Sequence, residues 1–322
     1  MGEDDAVPGD DDAGDDGDAT DSSDVCVLIP TLDEAETIGR VIDGLRDQGY
    51  ENVFVIDGGS TDGTRDIARE HGARIERQSG RGKGSAIREA LSMIEAEYVL
   101  MLDGDGTYRA ADADAMLEPL RSGRAEHVIG NRFADMEPGA MPRLNQAGNR
   151  LINRAFAFVH GRELVDITSG YRAFTRESAE RFHLTATGFG IETEFAVECV
   201  KRDVDTEIVP ITYRSRPAGS DTNLRPIRDG AVILVTLYRL AKTNNPLFYF
   251  GSVGVLSLLF GGAIGAYVGV EWVTRGISHE VLAVVAGVSV LFGVQLLMFG
   301  VLSDMMLSLH REQLRRIERS ER

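Results

Sequence analysis

The run Tyr98-Val99-Leu100-Met101-Leu102-Asp103-Gly104-Asp105-Gly106 constrains the fold more than any other stretch of the chain. Five apolar or aromatic residues without alternation read as a strand covered on both faces, the habit of parallel sheets in α/β proteins. The strand stops at two acids separated by a glycine. Open α/β sheets bind ligands outside the carboxyl ends of their strands, so these acids are expected in a site. Two carboxylates this close repel each other unless a cation lies between them. Their hard oxygens suit a Mg2+ or Mn2+ ion that keeps coordination free for phosphates. Taken alone, the same acids would also serve as caps for a following helix.

The pattern recurs. Val25-Cys26-Val27-Leu28-Ile29-Pro30-Thr31 is a buried strand stopped by proline, and Glu34 to Asp47 follows with apolar residues at helical spacing. Asn52 to Ile56 is a second buried strand. It ends in Asp57-Gly58-Gly59-Ser60-Thr61-Asp62-Gly63-Thr64, a glycine turn with a Thr/Asp cap for a helix to about His71. Ala73 to Glu76 reads as a short strand, and Arg81-Gly82-Lys83-Gly84 leads into a helix ending near Ile94. On its own that turn lacks a full phosphate-loop pattern and reads as a solvent turn. Alternating strands and helices predict a mainly parallel sheet with helices on both faces. Three strand ends then carry polar groups: Thr31 with Glu34, Asp57, and Asp103 with Asp105.

Farther on, His127 to Phe133 is a strand that contains Arg132, and Pro142 to Phe158 is helical with Arg143, Arg150 and Arg154. Ser169-Gly170-Tyr171-Arg172-Ala173-Phe174 is a turn into a short strand. Phe189 to Phe195, with Glu192 and Glu194, starts a helix, and Glu207 to Tyr213 is a strand running into Arg214-Ser215-Arg216. Arginines beside glycine turns in an acidic chain suit bound phosphate, though each alone also fits a surface salt pair.

Charge sets the wider bounds. The net charge of −17 is uneven, because residues 1–24 hold eleven of the 51 acids and no base. Residues 1–23 are expected to be a disordered tail, with no basic segment or apolar run of a signal peptide. Lysine occurs only at Lys83, Lys201 and Lys242, a composition that suits a high-salt cytosol. Overall acidity argues against a nucleic-acid binder. Cys26 and Cys199 form no metal or disulfide pattern and read as core.

Leu247 to Val270 and Val281 to Leu302 carry no charge over 24 and 22 residues. Both exceed the roughly 20 residues that cross a bilayer core. Arg239 and Lys242 before the pair, and Arg311, Arg315, Arg316 and Arg319 after it, place both flanks in the cytoplasm by the positive-inside tendency. Ile227 to Ala241 reads as an amphipathic helix lying along the membrane surface. The expected organisation is therefore an acidic tail (1–23), a catalytic domain (24–225), an interfacial helix (226–245), a transmembrane helix pair (246–302) and a cytoplasmic basic tail (303–322).

Together, Pro30-Thr31-Leu32-Asp33-Glu34, the Asp57–Thr64 turn, Asp103-Gly104-Asp105 and Ser169-Gly170-Tyr171-Arg172 resemble the family-two glycosyltransferases that act on polyprenyl phosphates. Dolichol-phosphate mannose and glucose synthases are the members most similar, in a salt-adapted archaeal form. The match spans about residues 24–225. The resemblance implies a GT-A fold, a nucleotide-sugar donor (a UDP-sugar favoured), a dolichyl phosphate acceptor in the membrane, and a divalent Mg2+ or Mn2+ cofactor. Pro30, Thr31 and Glu34 would border the nucleotide and Asp57 would accept from its base. Asp103 and Asp105 would hold ribose, diphosphate and metal, with Lys83 and Gly104 completing the donor site. Arg132, Arg143, Arg214 and Arg216 would face the donor and acceptor phosphates, and Asp105, Arg132, Arg214 and Arg216 form the implied catalytic set. Two positions depart from the mannose synthase pattern, Thr107 in place of Gln and Asp221-Thr222-Asn223 in place of a Ser-Lys pair.

The expected activity is inverting transfer of a hexose, glucose favoured, to dolichyl phosphate at the cytoplasmic face, initiating a lipid-linked glycan for protein N-glycosylation. Transfer of mannose or N-acetylglucosamine is the alternative within that chemistry. A sugar-phosphate nucleotidyltransferase would also use acids on an α/β sheet, but it opens with a glycine-rich loop and an Arg that residues 30–34 lack. A non-catalytic membrane scaffold is the remaining class.

Overall fold

The computed structural model describes residues 24–216, Val235, Tyr238 and 245–320. The acidic tail, the Asp221-Thr222-Asn223 departure and, apart from those two residues, the amphipathic segment 227–241 lie outside the described residues. Seven strands form one sheet in the order β3-β2-β1-β4-β6-β5-β7. They are β1 (Val25–Thr31), β2 (Val53–Asp57), β3 (Arg74–Arg77), β4 (Tyr98–Met101), β5 (His127–Met136), β6 (Arg172–Thr175) and β7 (Thr206–Tyr213). The helices of this domain are α1 (Ile38–Arg46), α2 (Thr64–Glu70), α3 (Lys83–Leu91), α4 (Ala113–Arg121), α5 (Arg143–His160), α6 (Arg176–Glu180) and α7 (Ile191–Lys201).

Period-two alternation along the buried strands feeds two cores. Val25, Val27 and Ile29 face one side with Ile38, Ile42 and Leu117 of α1 and α4. Cys26 and Leu28 face the other with Ile87 of α3 and Ile191 and Phe195 of α7. Both cysteines are buried and free, as the sequence suggested. A strand covered on both faces must be apolar throughout, which is why the runs at 25–29 and 98–102 do not alternate. Cutting Leu28, fully buried, to Ala would cost about 2–5 kcal/mol.

The sheet is mostly parallel, but β6 runs antiparallel to both β4 and β5. The reason lies in the connection after α5. Residues 161–171 run back along that helix, with Ile167 N donating to Asn153 Oδ1 and Thr168 Oγ1 to Asn149 Oδ1. The chain therefore enters β6 from the end of the sheet where β4 stops, and Ser169-Gly170 lands there. Helix α1 begins at Ile38, later than expected. The amides of Asp33, Glu34 and Ala35 are taken by Ser60 Oγ, Thr64 Oγ1 and Asp62 Oδ2, so these residues are tied to the β2 turn. Helix α4 occupies a stretch with no element expected from the sequence, and Pro119 sits within it.

Two helices, α8 (Pro246–Arg275, 30 residues) and α9 (Glu280–Ser320, 41 residues), form a hairpin and are long and apolar enough to cross a membrane. Asn245 caps the first by accepting from the Phe248 amide at 3.0 Å. The two pack through glycines: a Cβ on Gly254 would stand 2.8 Å from the Gly293 carbonyl oxygen, and one on Gly261 2.8 Å from that of Ala286. Outward residues such as Leu256 and Leu259 are exposed. Helix α9 continues unbroken into the basic C-terminal residues.

Candidate active site

The ends of β1 and β4 meet around glycine. Register pairs Leu28 with Met101, so Asp103 follows two residues on, beside Pro30. Thr37 Oγ1 donates to the Gly104 carbonyl at 2.6 Å, joining the α1 start to the acid turn. A Cβ on Gly104 would stand 2.9 Å from Thr31 Cγ2, so the turn admits no side chain between its acids. Gly106 then takes φ 71°, which glycine adopts freely.

Each acid already holds a cation. Asp105 Oδ2 accepts from Arg216 Nη2 at 2.7 Å, while its Oδ1 accepts from Thr107 N at 3.0 Å and Thr107 Oγ1 at 2.6 Å. Thr107, where mannose synthases carry Gln, is thus what orients Asp105. Arg216 Nη1 also lies 3.6 Å from Glu34. Burial pushes the Glu34 carboxyl up to about 7; Arg216 opposes this, and Asp105 and Asp103 add to it. Lys83 Nζ sits 2.5 Å from Asp103 Oδ1 and 2.6 Å from Glu192 Oε1. Burial works against the lysine's charge, but the two carboxylates outweigh it and hold its pKa above the ordinary value.

The turn at 81–84 is therefore a site element and not a solvent turn. Its glycines let the backbone press against the 186–187 strand of chain, because a Cβ on Gly82 or Gly84 would come within 2.3 Å of the Thr187 or Ala186 carbonyl oxygen. That contact drives Lys83 inward. From β6, Gly170 closes the far side: a Cβ there would stand 2.5 Å from Asp103 Oδ2. The Gly170 amide donates to Tyr108 Oη at 2.9 Å. Arg172, fully buried, secures this turn by donating to the Ser169, Ile167 and Glu192 carbonyls, with its Nη1 beside His127 Nε2. Burial, and then Arg172, push that histidine's pKa well below its ordinary value.

Glu34, Lys83, Asp103, Asp105, Tyr108, Glu192 and Arg216 line a cleft of about 940 Å³ that also takes in Pro30, Thr31, Arg132 and, from α5, Leu144. Its volume suits a ligand of nucleotide-sugar size. Four carboxylates (Glu34, Asp103, Asp105, Glu192) line the cleft with the cations Arg81, Lys83, Arg132 and Arg216. Lys83 pairs with Asp103 and Glu192, Arg216 with Asp105 and Glu34, and Arg132 with Asp166. A donor diphosphate adds negative charge that a divalent cation would offset. Among the described residues no group of three or more His, Cys, Asp or Glu stands close enough to hold one. Asp103 and Asp105, both now neutralised by side-chain cations, fit a divalent ion that takes its remaining ligands from phosphate oxygens and water.

Three expected site residues stand elsewhere. Asp57 is fully buried and its carboxylate accepts from the Gly59 and Ser60 amides at 2.9 and 3.1 Å, so it shapes its own turn and leaves Gly58 and Gln78 to line the cleft. Arg143 is exposed at the start of α5, outside the cleft wall formed by its neighbours Pro142 and Leu144. The Arg214 guanidinium lies 3.9 Å from Glu137, and only its backbone amide joins the site by donating to the Thr107 carbonyl. Arg132 does line the cleft, but Asp166 grips it through Nε at 2.8 Å and Nη2 at 2.6 Å, and Nη2 also donates to Thr168. Asp166 is fully buried with φ 59°. Its one sequence signal is its place three residues ahead of Ser169-Gly170. Glu194 accepts from the Thr185 and Ala186 amides and so supports the wall behind Lys83.

Residues 26–182 match the model of the family described as glycosyl transferase family 2. The chain is 65% identical over 298 residues to glycosyltransferase AglJ of Haloferax volcanii, covering 92% of this chain and 98% of that protein. It is 34% identical over 215 residues to a dolichyl-phosphate hexose transferase of the same organism, covering 65% of this chain and 90% of that one. Among solved structures, glucosyl-3-phosphoglycerate synthase from Mycobacterium tuberculosis, in complex with Mn2+, UDP-glucose and phosphoglyceric acid, superposes with a TM-score of 0.55 at 23% identity, covering 67% of this chain and 79% of that one. That likeness confirms the GT-A fold. The acid-Gly-acid turn at the end of β4, the tied loops of β1 and β2 and this extended similarity make the chain a member of the glycosyl transferase family 2, related to dolichyl-phosphate hexose transferases.

Proposed function

We propose that the protein transfers a hexose, glucose favoured, from a UDP-sugar to dolichyl phosphate at the cytoplasmic membrane face, initiating a lipid-linked glycan for protein N-glycosylation. The observation that carries this reading is the shape of the cleft. Its floor holds Asp103, Asp105, Lys83 and Arg216, while its α5 wall leads to the base of an apolar hairpin, where Phe158 meets Phe248 edge to face at 5.5 Å. A cleft with a charged floor and an apolar exit suits a phosphate on a lipid. The related dolichyl-phosphate hexose transferase supports the acceptor. For the donor, the solved neighbour of this fold binds UDP-glucose with Mn2+.

In this reading Pro30, Thr31, Gly58 and Gln78 border the nucleotide, and Asp103 and Asp105 would hold the divalent ion. When bound, that ion neutralises the charge building on the departing nucleoside diphosphate. Arg216, which donates to Asp105 at 2.7 Å, would offer its guanidinium to donor phosphate oxygens. Arg132, held rigid by Asp166, presents its remaining N–H groups to the acceptor phosphate, and Arg143 and Arg214 act at the rim. No general base is required, because a phosphate monoester with a second pKa of about 6 is already a nucleophilic oxyanion at neutral pH. Attack opposite the leaving diphosphate inverts the anomeric centre. Glu192, neutralised by Lys83, contacts sugar hydroxyls.

The test is to incubate membranes carrying the protein with a panel of labelled nucleotide-sugars. Label from UDP-glucose should enter the lipid fraction in preference to label from GDP-mannose or UDP-N-acetylglucosamine. Preferential incorporation of either of the others would reassign the donor.

A further inference from the structure

Three neighbouring strand ends form one wall of the cleft. Register pairs Thr31 with Asp57 and Asp57 with Arg77, so Thr31, Gly58 and Gln78 stand in a row across the ends of β1, β2 and β3. The Gly58 amide donates to the Thr31 carbonyl at 2.8 Å, and the Gln78 amide nitrogen of the backbone donates to the Asp57 carbonyl at 3.0 Å. All three residues line the cleft. Strands lie about 4.8 Å apart, so the row is about 10 Å long. Its middle is bare: a Cβ on Gly58 would stand 3.2 Å from the Thr31 carbonyl oxygen and 3.4 Å from Leu32 Cβ. Leu32, 41% exposed, adds an apolar flank beside that backbone. A flat ring fits over such a floor with its polar edge turned to one end of the row.

Gln78 stands at the β3 end of that row. The residue is 7% exposed, yet its Oε1 has no hydrogen-bond partner among the described residues. A buried amide oxygen left unpaired costs free energy that a ligand N–H would recover. The terminal torsion of glutamine is broad, so the amide can turn to a ring beside it without leaving its rotamer. Asp57, which the family resemblance sets against the base, is not available for this. It is fully buried, its Oδ2 accepts from the Gly59 and Ser60 amides at 2.9 and 3.1 Å, its Oδ1 accepts from Ser60 at 3.2 Å, and Arg65 Nε lies 3.6 Å away. We infer that Gln78, in place of Asp57, reads the base of the donor, with Oε1 accepting from the N3–H of uracil and Nε2 donating to a carbonyl oxygen next to it. A base without that N–H leaves Oε1 unpaired, which makes Gln78 a specificity-determining residue. The inference rests on the proposal of a UDP-sugar donor.

The test measures binding of UDP and of 3-methyl-UDP, each with Mg2+, to the full-length protein in detergent by titration calorimetry. The second ligand carries a methyl group where uracil has its N3 proton. The parent should bind 3-methyl-UDP about thirtyfold or more weakly than UDP, within the range for an unpaired buried polar group. Gln78→Leu keeps the bulk of the side chain and removes the amide. It should weaken UDP about tenfold and shrink the preference to about threefold or less. Asp57→Asn should keep the parent's preference, whatever it does to stability. If Gln78→Leu keeps that preference, the residue has a structural role only and the inference is overturned; loss of the preference in Asp57→Asn at the same time would hand the base to Asp57. A parent that binds UDP and 3-methyl-UDP equally shows that N3 is not read, which also overturns it. Tighter binding of GDP than of UDP by the parent is a separate failure, since it removes the UDP-sugar donor on which the inference rests.

Discussion

Replacing Glu34 by Gln tests the electrostatics of the cleft. Burial, reinforced by Asp105 and Asp103 against the pull of Arg216, raises this carboxyl from an ordinary 4.5 to about 7. A group whose folded-state value lies above its unfolded one contributes stability fully below the unfolded value, and that contribution is lost as pH rises through the folded value. Here the window runs from about 4.5 to about 7. Between about pH 5.5 and about pH 8 the parent protein should therefore lose about 2 kcal/mol on this group alone. Gln mimics the protonated acid in shape and cannot ionise, so Glu34→Gln should not lose it. For a domain of this size that corresponds to a lead of the variant's melting midpoint over the parent's that widens by about 4–8 °C from the acid to the alkaline end of this range. Scanning calorimetry in detergent across this range measures the difference, in which all other titrating groups cancel. Parallel midpoints at every pH would refute the reasoning, and a parent that gains on the variant as pH rises would reverse its sign.

Asp105→Ala should abolish transfer while leaving the protein folded and in the membrane fraction, and excess chelator should silence the parent; full turnover in chelator sinks the metal assignment. Gly170→Ala should cut turnover about a hundredfold or more through displacement of Asp103, since reacting groups tolerate little misplacement; unchanged activity would mean that the 2.5 Å approach relaxes without moving the acid. A cysteine at Ser278, in the turn between α8 and α9, should react with an impermeant reagent on intact cells, and one at Ser320 should not. The opposite labelling overturns the cytoplasmic placement of the cleft.

The site was legible where one residue type could do only one thing. Apolar runs without alternation have to be strands covered on both faces, so the sequence alone sets Thr31, Glu34, Asp103 and Asp105 together at their ends. The helix expected over Pro142 to Phe158 is α5, Arg143–His160. What escaped was decided by long-range partners. The antiparallel insertion of β6 depends on how residues 161–171 double back along α5, and no local pattern encodes that. Asp57, which the family resemblance sets against the nucleotide base, has a carboxylate that satisfies the tight turn that follows. Arg132, open in sequence to either a phosphate or a salt pair, is clasped by Asp166, thirty-four residues away. Lys83 enters the donor site in sequence only through the family resemblance, since its glycine-flanked turn alone reads as a solvent turn; the 186–187 backbone is what presses it inward.

The most direct test of the account is the product itself. Purified protein reconstituted with dolichyl phosphate, UDP-glucose and Mg2+ should yield a lipid whose mass exceeds that of the acceptor by a single hexose, with one phosphorus and a β-linkage to the sugar by NMR. A product carrying two phosphates would contradict the account by showing transfer of a sugar phosphate, and an α-linkage would contradict the direct, base-free displacement.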